Sequence, residues 1–136
     1  MKYKFLEHTA DLKFQAYGKN LDEVFKSSAY ALKKVICEDR VKEKIKKNIK
    51  INGTDLENLL YKFLEEILIL FDSENFILGK IAEIKIDENK FKLKTKILGD
   101  NAKNYKINSG LKAITYNEMF VKKIKDKWIS QVVLDI

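Results

Sequence analysis

The residues best suited to chemistry in this 136-residue chain are acids near its two ends. Asp11 follows Glu7-His8-Thr9-Ala10, a polar cluster that holds the only histidine. Asp135 stands beside Ile136, whose terminal carboxylate adds further oxygen atoms. Carboxylates that lie close together repel one another unless a cation neutralises them, and calcium and magnesium take oxygen ligands. If the first and last strands are neighbours, Asp11, Asp135 and Ile136 form a candidate divalent-cation site.

The same residues also have a purely structural interpretation. Thr9 and Asp11 could shape a turn through local backbone hydrogen bonds, and a C-terminal Asp-Ile is commonly a solvated chain end. His8 suits a structural role as well as it suits orienting Asp11 or lining a pocket together with Thr9. Spacing alone leaves both interpretations open.

Hydrophobic periodicity predicts the elements that must position these residues. Period-two alternation predicts strands on either side of the polar cluster, over residues 3–6 and 12–18. Apolar residues at helical spacing follow Asn20 and again Thr54, each of which is a candidate N-cap. Beyond a polar loop predicted at 99–104, strand patterns cover residues 111–116, 119–125 and 127–134. Helices early and strands late predict a single compact α+β domain over residues 1–136, with mostly antiparallel sheet and two main helices.

Composition limits the classes of protein to consider. With 46% hydrophobic and 35% charged residues, the chain is typical of a globular protein. The longest apolar run, residues 67–71, is too short to span a membrane, and the first residues lack a signal-peptide core. The single cysteine, Cys37, suits a reducing compartment. We therefore expect a cytoplasmic protein without a membrane partner.

The net charge of +7 raises the question of nucleic-acid binding. Arg40 is the only arginine, so nearly all the positive charge is lysine, whereas arginine is favoured for forked contacts to phosphates and bases. A solvated basic surface is therefore the simpler interpretation, and an RNA-binding module is an alternative. No nucleotide-binding glycine motif follows a strand, and one histidine with one cysteine excludes a zinc site of the usual composition.

Three segments together resemble the archease family. They are His8-Thr9-Ala10-Asp11, Leu111-Lys112-Ala113-Ile114-Thr115-Tyr116 and Val132-Val133-Leu134-Asp135-Ile136, in the family's order and with fitting helical stretches between them. The resemblance implies an archease-like fold. It also implies that Asp11, Asp135 and Ile136 bind a divalent cation, with Ca²⁺ expected and Mg²⁺ or Mn²⁺ as alternatives, and that Lys112 is needed for function.

The resemblance further implies what the protein does. Archeases help the RtcB-type, GTP-dependent RNA ligase of tRNA splicing by promoting its guanylylation and multiple turnover, without catalysis of their own. Association with tRNA or other RNA would then be indirect. Asn117 stands where the family usually has a histidine, so that histidine's role does not transfer. A small metal-dependent enzyme acting on phosphate esters, which would use the same carboxylates, is the competing interpretation.

Overall fold

Two antiparallel sheets enclose a layer of two helices. The structure, a computed structural model, describes residues 2–7 and 10–136. In chain order the elements are β1 (Lys2–Leu6), β2 (Leu12–Gly18), α1 (Leu21–Ile36), β3 (Ile45–Asn52), α2 (Leu56–Glu74), β4 (Phe76–Asp87), β5 (Lys92–Asn101), a 3-10 turn (Ala102–Asn104), β6 (Ala113–Ile124) and β7 (Lys127–Asp135).

The strands divide into a four-stranded sheet, ordered β1-β2-β7-β6, and a three-stranded sheet, ordered β3-β5-β4. Every strand pairing is antiparallel. Both helices contact strands of both sheets, so the helices form the central layer. The α+β class with two main helices and antiparallel strands is confirmed. The division into two sheets could not be predicted from alternation, because the alternation of a strand does not indicate which other strands it pairs with.

Helix α1 begins as its sequence predicts. The side chain of Asn20 accepts a hydrogen bond from the backbone N–H of Glu23 at 2.8 Å, which satisfies a donor of the first turn. Small residues then face the four-stranded sheet, where the Ser28 and Ser130 hydroxyls lie 2.7 Å apart. On the other side, the Tyr30 hydroxyl accepts from the backbone N–H of Ile81 at 2.8 Å. One helix thus makes polar contacts with both sheets.

Helix α2 supplies the centre of the core, as its apolar stripe predicts. The ring of Phe63 stacks on that of Phe25 in α1 with centroids 6.1 Å apart, and both rings are fully buried. The cap prediction was one residue early: Asp55, not Thr54, accepts the N-cap hydrogen bond, from the Asn58 N–H at 2.7 Å. The Thr54 N–H instead donates to the Asn58 side chain at 3.0 Å.

The described part of the chain contains no helix that combines the length and the apolar composition needed to cross a membrane.

Only half of the segment predicted as a polar loop at 99–104 is irregular: residues 99–101 belong to strand β5 and Ala102–Asn104 form the 3-10 turn. Gly99 allows this, because a Cβ there would lie 2.0 Å from the Ile77 carbonyl oxygen. Asp100 follows, only 5% exposed. Its carboxylate accepts hydrogen bonds from the Tyr105 hydroxyl at 2.7 Å and from the Asn101 N–H at 2.8 Å. The hydrogen bond from Tyr105 is the main reason why the pKa of Asp100 is lowered.

This network predicts acid sensitivity. The folded-state pKa of Asp100 lies below the unfolded value of about 3.9, so the carboxylate stabilises the fold above about pH 4 and loses that contribution as pH falls through the folded pKa. Asp100→Asn should therefore melt at a lower temperature than the parent at pH 7. The difference between the melting temperatures of parent and variant should shrink below about pH 4. Thermal unfolding from neutral to acidic pH measures this. Asp72→Asn, at an exposed position of α2, should follow the parent at every pH. A gap between parent and Asp100→Asn that did not change with pH would contradict the assignment.

Candidate functional site

The four-stranded sheet brings the two ends of the chain together. Strand β7 lies between β2 and β6, with Leu12 opposite Leu134 and Ala113 opposite Asp135. Asp11 stands one residue before β2, Asp135 is the last residue of β7, and Lys112 stands one residue before β6. These three residues therefore meet at one end of three adjacent strands. We call this cluster, together with Ile136, the strand-end site.

Backbone pairing holds the strand-end site in place. The Lys112 N–H donates to the Asp135 carbonyl oxygen at 2.8 Å, which extends the β6–β7 pairing by one residue. Continuing the β2–β7 register in the same way places Asp11 opposite Asp135. Asp11 is half-buried, whereas Lys112, Asp135 and Ile136 are exposed. Since opposite residues of an antiparallel pair share a face of the sheet, the two aspartates share the face turned away from the helices.

The donors at this site suit a hard cation. Within residues 2–7 and 10–136, no group of three or more His, Cys, Asp and Glu side chains is placed to hold a metal ion. The oxygens available here are therefore those of two aspartate side chains and of the main chain of Ile136. Calcium accepts carboxylate, carbonyl and water oxygens in irregular geometry more readily than magnesium does. His8 and Thr9, the other predicted members of the site, lie outside the described residues.

A long bulge in β6 shapes the surface beside the site. Thr115 pairs with Val133 and the next partners are Phe120 and Gln131, so residues 116–119 stand opposite a single residue of β7. The Thr115 hydroxyl donates to the Val133 carbonyl at 2.7 Å and accepts from the Asn117 N–H at 3.3 Å. The sequence predicted two separate strands here. The structure shows one strand, because these contacts let the pairing resume after the bulge.

Two further contacts fix the far side of the bulge. The Gln131 side-chain amide donates to the carbonyl oxygen of Glu118 at 2.8 Å. Glu118 adopts a φ of 53°, and its carboxylate pairs with the ammonium group of Lys13 in β2 at 3.1 Å. The bulge is therefore tied across β7 to β2, two residues from Asp11. Neither Lys13 nor Glu118 was predicted from sequence, since residues so far apart carry no local signal of pairing.

Helix α2 packs against the bulge. The ring of Tyr116 stacks on that of Tyr61 with centroids 4.2 Å apart, and its hydroxyl accepts from the Asn58 side chain at 2.7 Å. Burial, more than the neighbouring Glu65, raises the pKa of Tyr61. The sequence assigns Glu57 to the solvated face of α2, but its carboxylate accepts a hydrogen bond from the Val121 N–H at 2.9 Å. The helical spacing of Glu57, Asn58 and Tyr61 places them on one side, but the sequence does not name the strand that they meet.

The bulge contacts predict a local effect of removing the Thr115 hydroxyl. Thr115→Val should lose two hydrogen bonds and lower the free energy of unfolding by about 1–2 kcal/mol. Amide hydrogen exchange should accelerate at Asn117. The matched control is Thr95→Val, which removes a hydroxyl donating to Glu83 in the other sheet at 2.6 Å and should leave Asn117 exchange unchanged. Equal exchange at Asn117 in parent and Thr115→Val would show that the hydroxyl does not hold the bulge.

Comparison with known proteins is consistent across sequence and structure. Residues 3–136 match the model of the Archease protein family (MTH1598/TM1083). The chain is 38% identical over 141 residues to the protein archease of Pyrococcus abyssi, covering 99% of both chains. It is 36% identical over 140 residues to that of Methanosarcina acetivorans, covering 99% of this chain and 96% of the relative.

Two solved structures share the fold. The solution structure of Methanobacterium thermoautotrophicum protein 1598 superposes with a TM-score of 0.84 at 29% identity, covering 98% of both chains. The crystal structure from Thermotoga maritima, described as an archease and possible chaperone, gives a TM-score of 0.67 at 21% identity, covering 100% of this chain and 98% of that one. This second likeness concerns the fold alone.

Proposed function

Because the chain belongs to the archease family, we propose that it is an accessory protein of an RtcB-type, GTP-dependent RNA ligase in tRNA splicing. It would promote guanylylation of the ligase and repeated turnover in the cytoplasm, without catalysing ligation itself. The observation that carries the proposal is the meeting of Asp11, Lys112 and Asp135 at one end of three adjacent strands.

The strand-end site has the chemistry that such a role requires. Asp11, Asp135 and the main-chain oxygens of Ile136 would hold a divalent cation, with Ca²⁺ favoured by the irregular oxygen donor set. A bound cation would supply positive charge for phosphate oxygens at the partner's nucleotide. Lys112 adds a flexible point charge of the kind that contacts phosphates, and its backbone is anchored to Asp135. The exposure of Lys112 and Asp135 leaves both accessible to a partner protein.

The bulge contributes a fixed backbone beside the site and no reacting groups. Its hydrogen bonds to β7 and its stacking on α2 hold residues 116–119 beside the site. Residues that adjoin the ends of paired strands are held more precisely than residues in the middle of a loop, which suits a protein that must position charge for another active site. This rigidity supports a positioning role for the site, in which the ligase supplies the reacting groups.

The metal part of the proposal is testable without a ligase. Isothermal titration of the protein with CaCl₂, MgCl₂ or MnCl₂ should show one divalent cation bound. Asp11→Asn and Asp135→Asn should each weaken affinity by about 10-fold or more, since removing a ligand carboxylate lowers the charge of the site. Asp126→Asn, an exposed aspartate in the turn between β6 and β7, should bind as the parent does, and so should Lys112→Ala. Unchanged affinity in both site variants would contradict the metal assignment.

The ligase role is tested with a matched RtcB-type ligase at limiting concentration, GTP and an RNA that ends in a cyclic phosphate. The parent protein should raise ligation from about one round to many. Asp11→Asn, Asp135→Asn and Lys112→Ala should each cut this stimulation by about 10-fold or more, whereas Lys127→Ala, at an exposed lysine of β7, should not.

Full stimulation by all three site variants would contradict the proposal. Hydrolysis of GTP or RNA by the parent protein alone, lost in Asp135→Asn, would instead identify a metal-dependent enzyme acting on phosphate esters.

A further inference from the structure

The three-stranded sheet carries a lysine-rich surface on the side turned away from the helices. Cross-strand partners place Lys50, Lys94 and Lys85 in one row, with Lys96 in the row on one side and Lys92 in the row on the other. We call these five residues the lysine face. Lys46 and Lys80 flank Leu98 in one further row of the same surface. Residues that are scattered over residues 46–96 of the sequence thus become one surface of a protein whose net charge is +7.

The acids on this surface offset only part of that charge. Glu83 lies 3.9 Å from Lys96, and Asp87 accepts hydrogen bonds from the backbone of the adjoining turn, at Asn89 and Lys90. In the part of the chain that the structure describes, no carboxylate lies within ion-pair distance of Lys50, Lys85 or Lys94. Asp22 of α1 interacts electrostatically with Lys85 but does not form an ion pair with it. The central row therefore presents three positive charges without a matching ion pair.

Folding stability does not account for this row. Neighbouring strands are about 4.8 Å apart, and like charges directly opposite one another destabilise a sheet. Lysines on edge strands often block unwanted pairing with other chains, which could explain Lys50 on β3 and Lys85 on β4. Lys92 and Lys96 stand opposite Asp87 and Glu83 of β4, and such opposite charges stabilise a sheet. Neither explanation covers Lys94, because β5 is the central strand and Lys94 has a lysine opposite it on both sides. The repulsion is relieved if a polyanion binds across the rows.

The shape and chemistry of the surface define that polyanion. Two open concavities of about 680 and 860 Å³ adjoin along the sheet and share Lys50, Lys85 and Lys94 in their linings. None of the positions in the four rows is aromatic, whereas recognition of unpaired bases relies on aromatic stacking. Lysine ammonium groups contact phosphates as point charges. The surface therefore suits a regular phosphate backbone more than single-stranded bases.

We infer that the lysine face binds the phosphate backbone of double-stranded RNA, independently of sequence. The choice of RNA rests on the proposed function, since the partner ligase would act on structured RNA. The strand-end site lies in the other sheet, across the helix layer. The protein can thus present carboxylates to the ligase on one side and hold the helical part of its RNA on the other.

Fluorescence anisotropy with a labelled RNA duplex of about 20 base pairs tests the inference. The affinity of the parent protein should fall steeply with salt, with a slope of log K against log salt of about −3 to −5. The triple variant Lys50→Gln, Lys85→Gln and Lys94→Gln should bind about 100-fold more weakly at about 100 mM salt, with a slope flatter by about 2–3. It should melt at or above the parent's temperature, because repulsion is removed.

The matched control is the triple variant Lys34→Gln, Lys123→Gln and Lys127→Gln, which removes the same charge from exposed lysines on other elements. It should bind RNA nearly as the parent does. Equal losses in the two triple variants would overturn the inference, because affinity would then follow net charge alone. Unchanged RNA affinity in the lysine-face variant would also overturn it.

A second readout separates this inference from the proposed function. Without RNA present, the ligase can still be guanylylated with GTP. The lysine-face variant should stimulate that reaction as much as the parent does, because its strand-end site is unchanged. If the parent fails to stimulate guanylylation, the proposed function fails while the anisotropy result still stands. If the lysine-face variant alone loses that stimulation, the face contacts the ligase and the RNA assignment is overturned.

Discussion

The position of β7 between β2 and β6 is the constraint on which the strand-end site depends. An antiparallel register fixes which residues face one another, and a shift by one residue would turn each side chain to the opposite face of the sheet. Buried residues on the helix side, such as Phe14 and Val132, make such a shift costly. The core therefore determines where Asp11 and Asp135 lie, although neither residue belongs to it.

The helix layer gives the molecule two chemically different outer surfaces. Both helices contact both sheets, and α1 is correspondingly buried on most of its circumference. Each sheet then has one face toward the helices and one turned away from them. Acids at the strand ends of one sheet and lysines across the rows of the other can carry separate functions, because a layer of buried side chains stands between them.

The bulge in β6 is an irregular stretch of backbone that several contacts hold in one conformation. Three kinds of contact hold it: the Thr115 hydroxyl, the Gln131 amide and the stacked rings of Tyr116 and Tyr61. Each contact joins the bulge to a different neighbour, so the loss of one leaves the others in place. Bulges commonly aim side chains near functional sites, and this one ends the regular β6–β7 pairing three residues from Lys112.

Local patterns in the sequence determined much of the fold and part of the site. The cap at Asn20, the apolar stripe of α2 and the alternation of β2 depend on neighbours within a few residues, so they can be recognised without the structure. The three segments that contain Asp11, Lys112 and Asp135 likewise identified the family before their positions in space were known. Tertiary structure alone decided the bulge, the contact of Glu57 with Val121 and the lysine face. Alternation states which residues share a face of one strand, but the choice of neighbouring strand and register comes from packing across the whole chain. Residues as distant as Lys50, Lys85 and Lys94 therefore meet only once the sheet has formed.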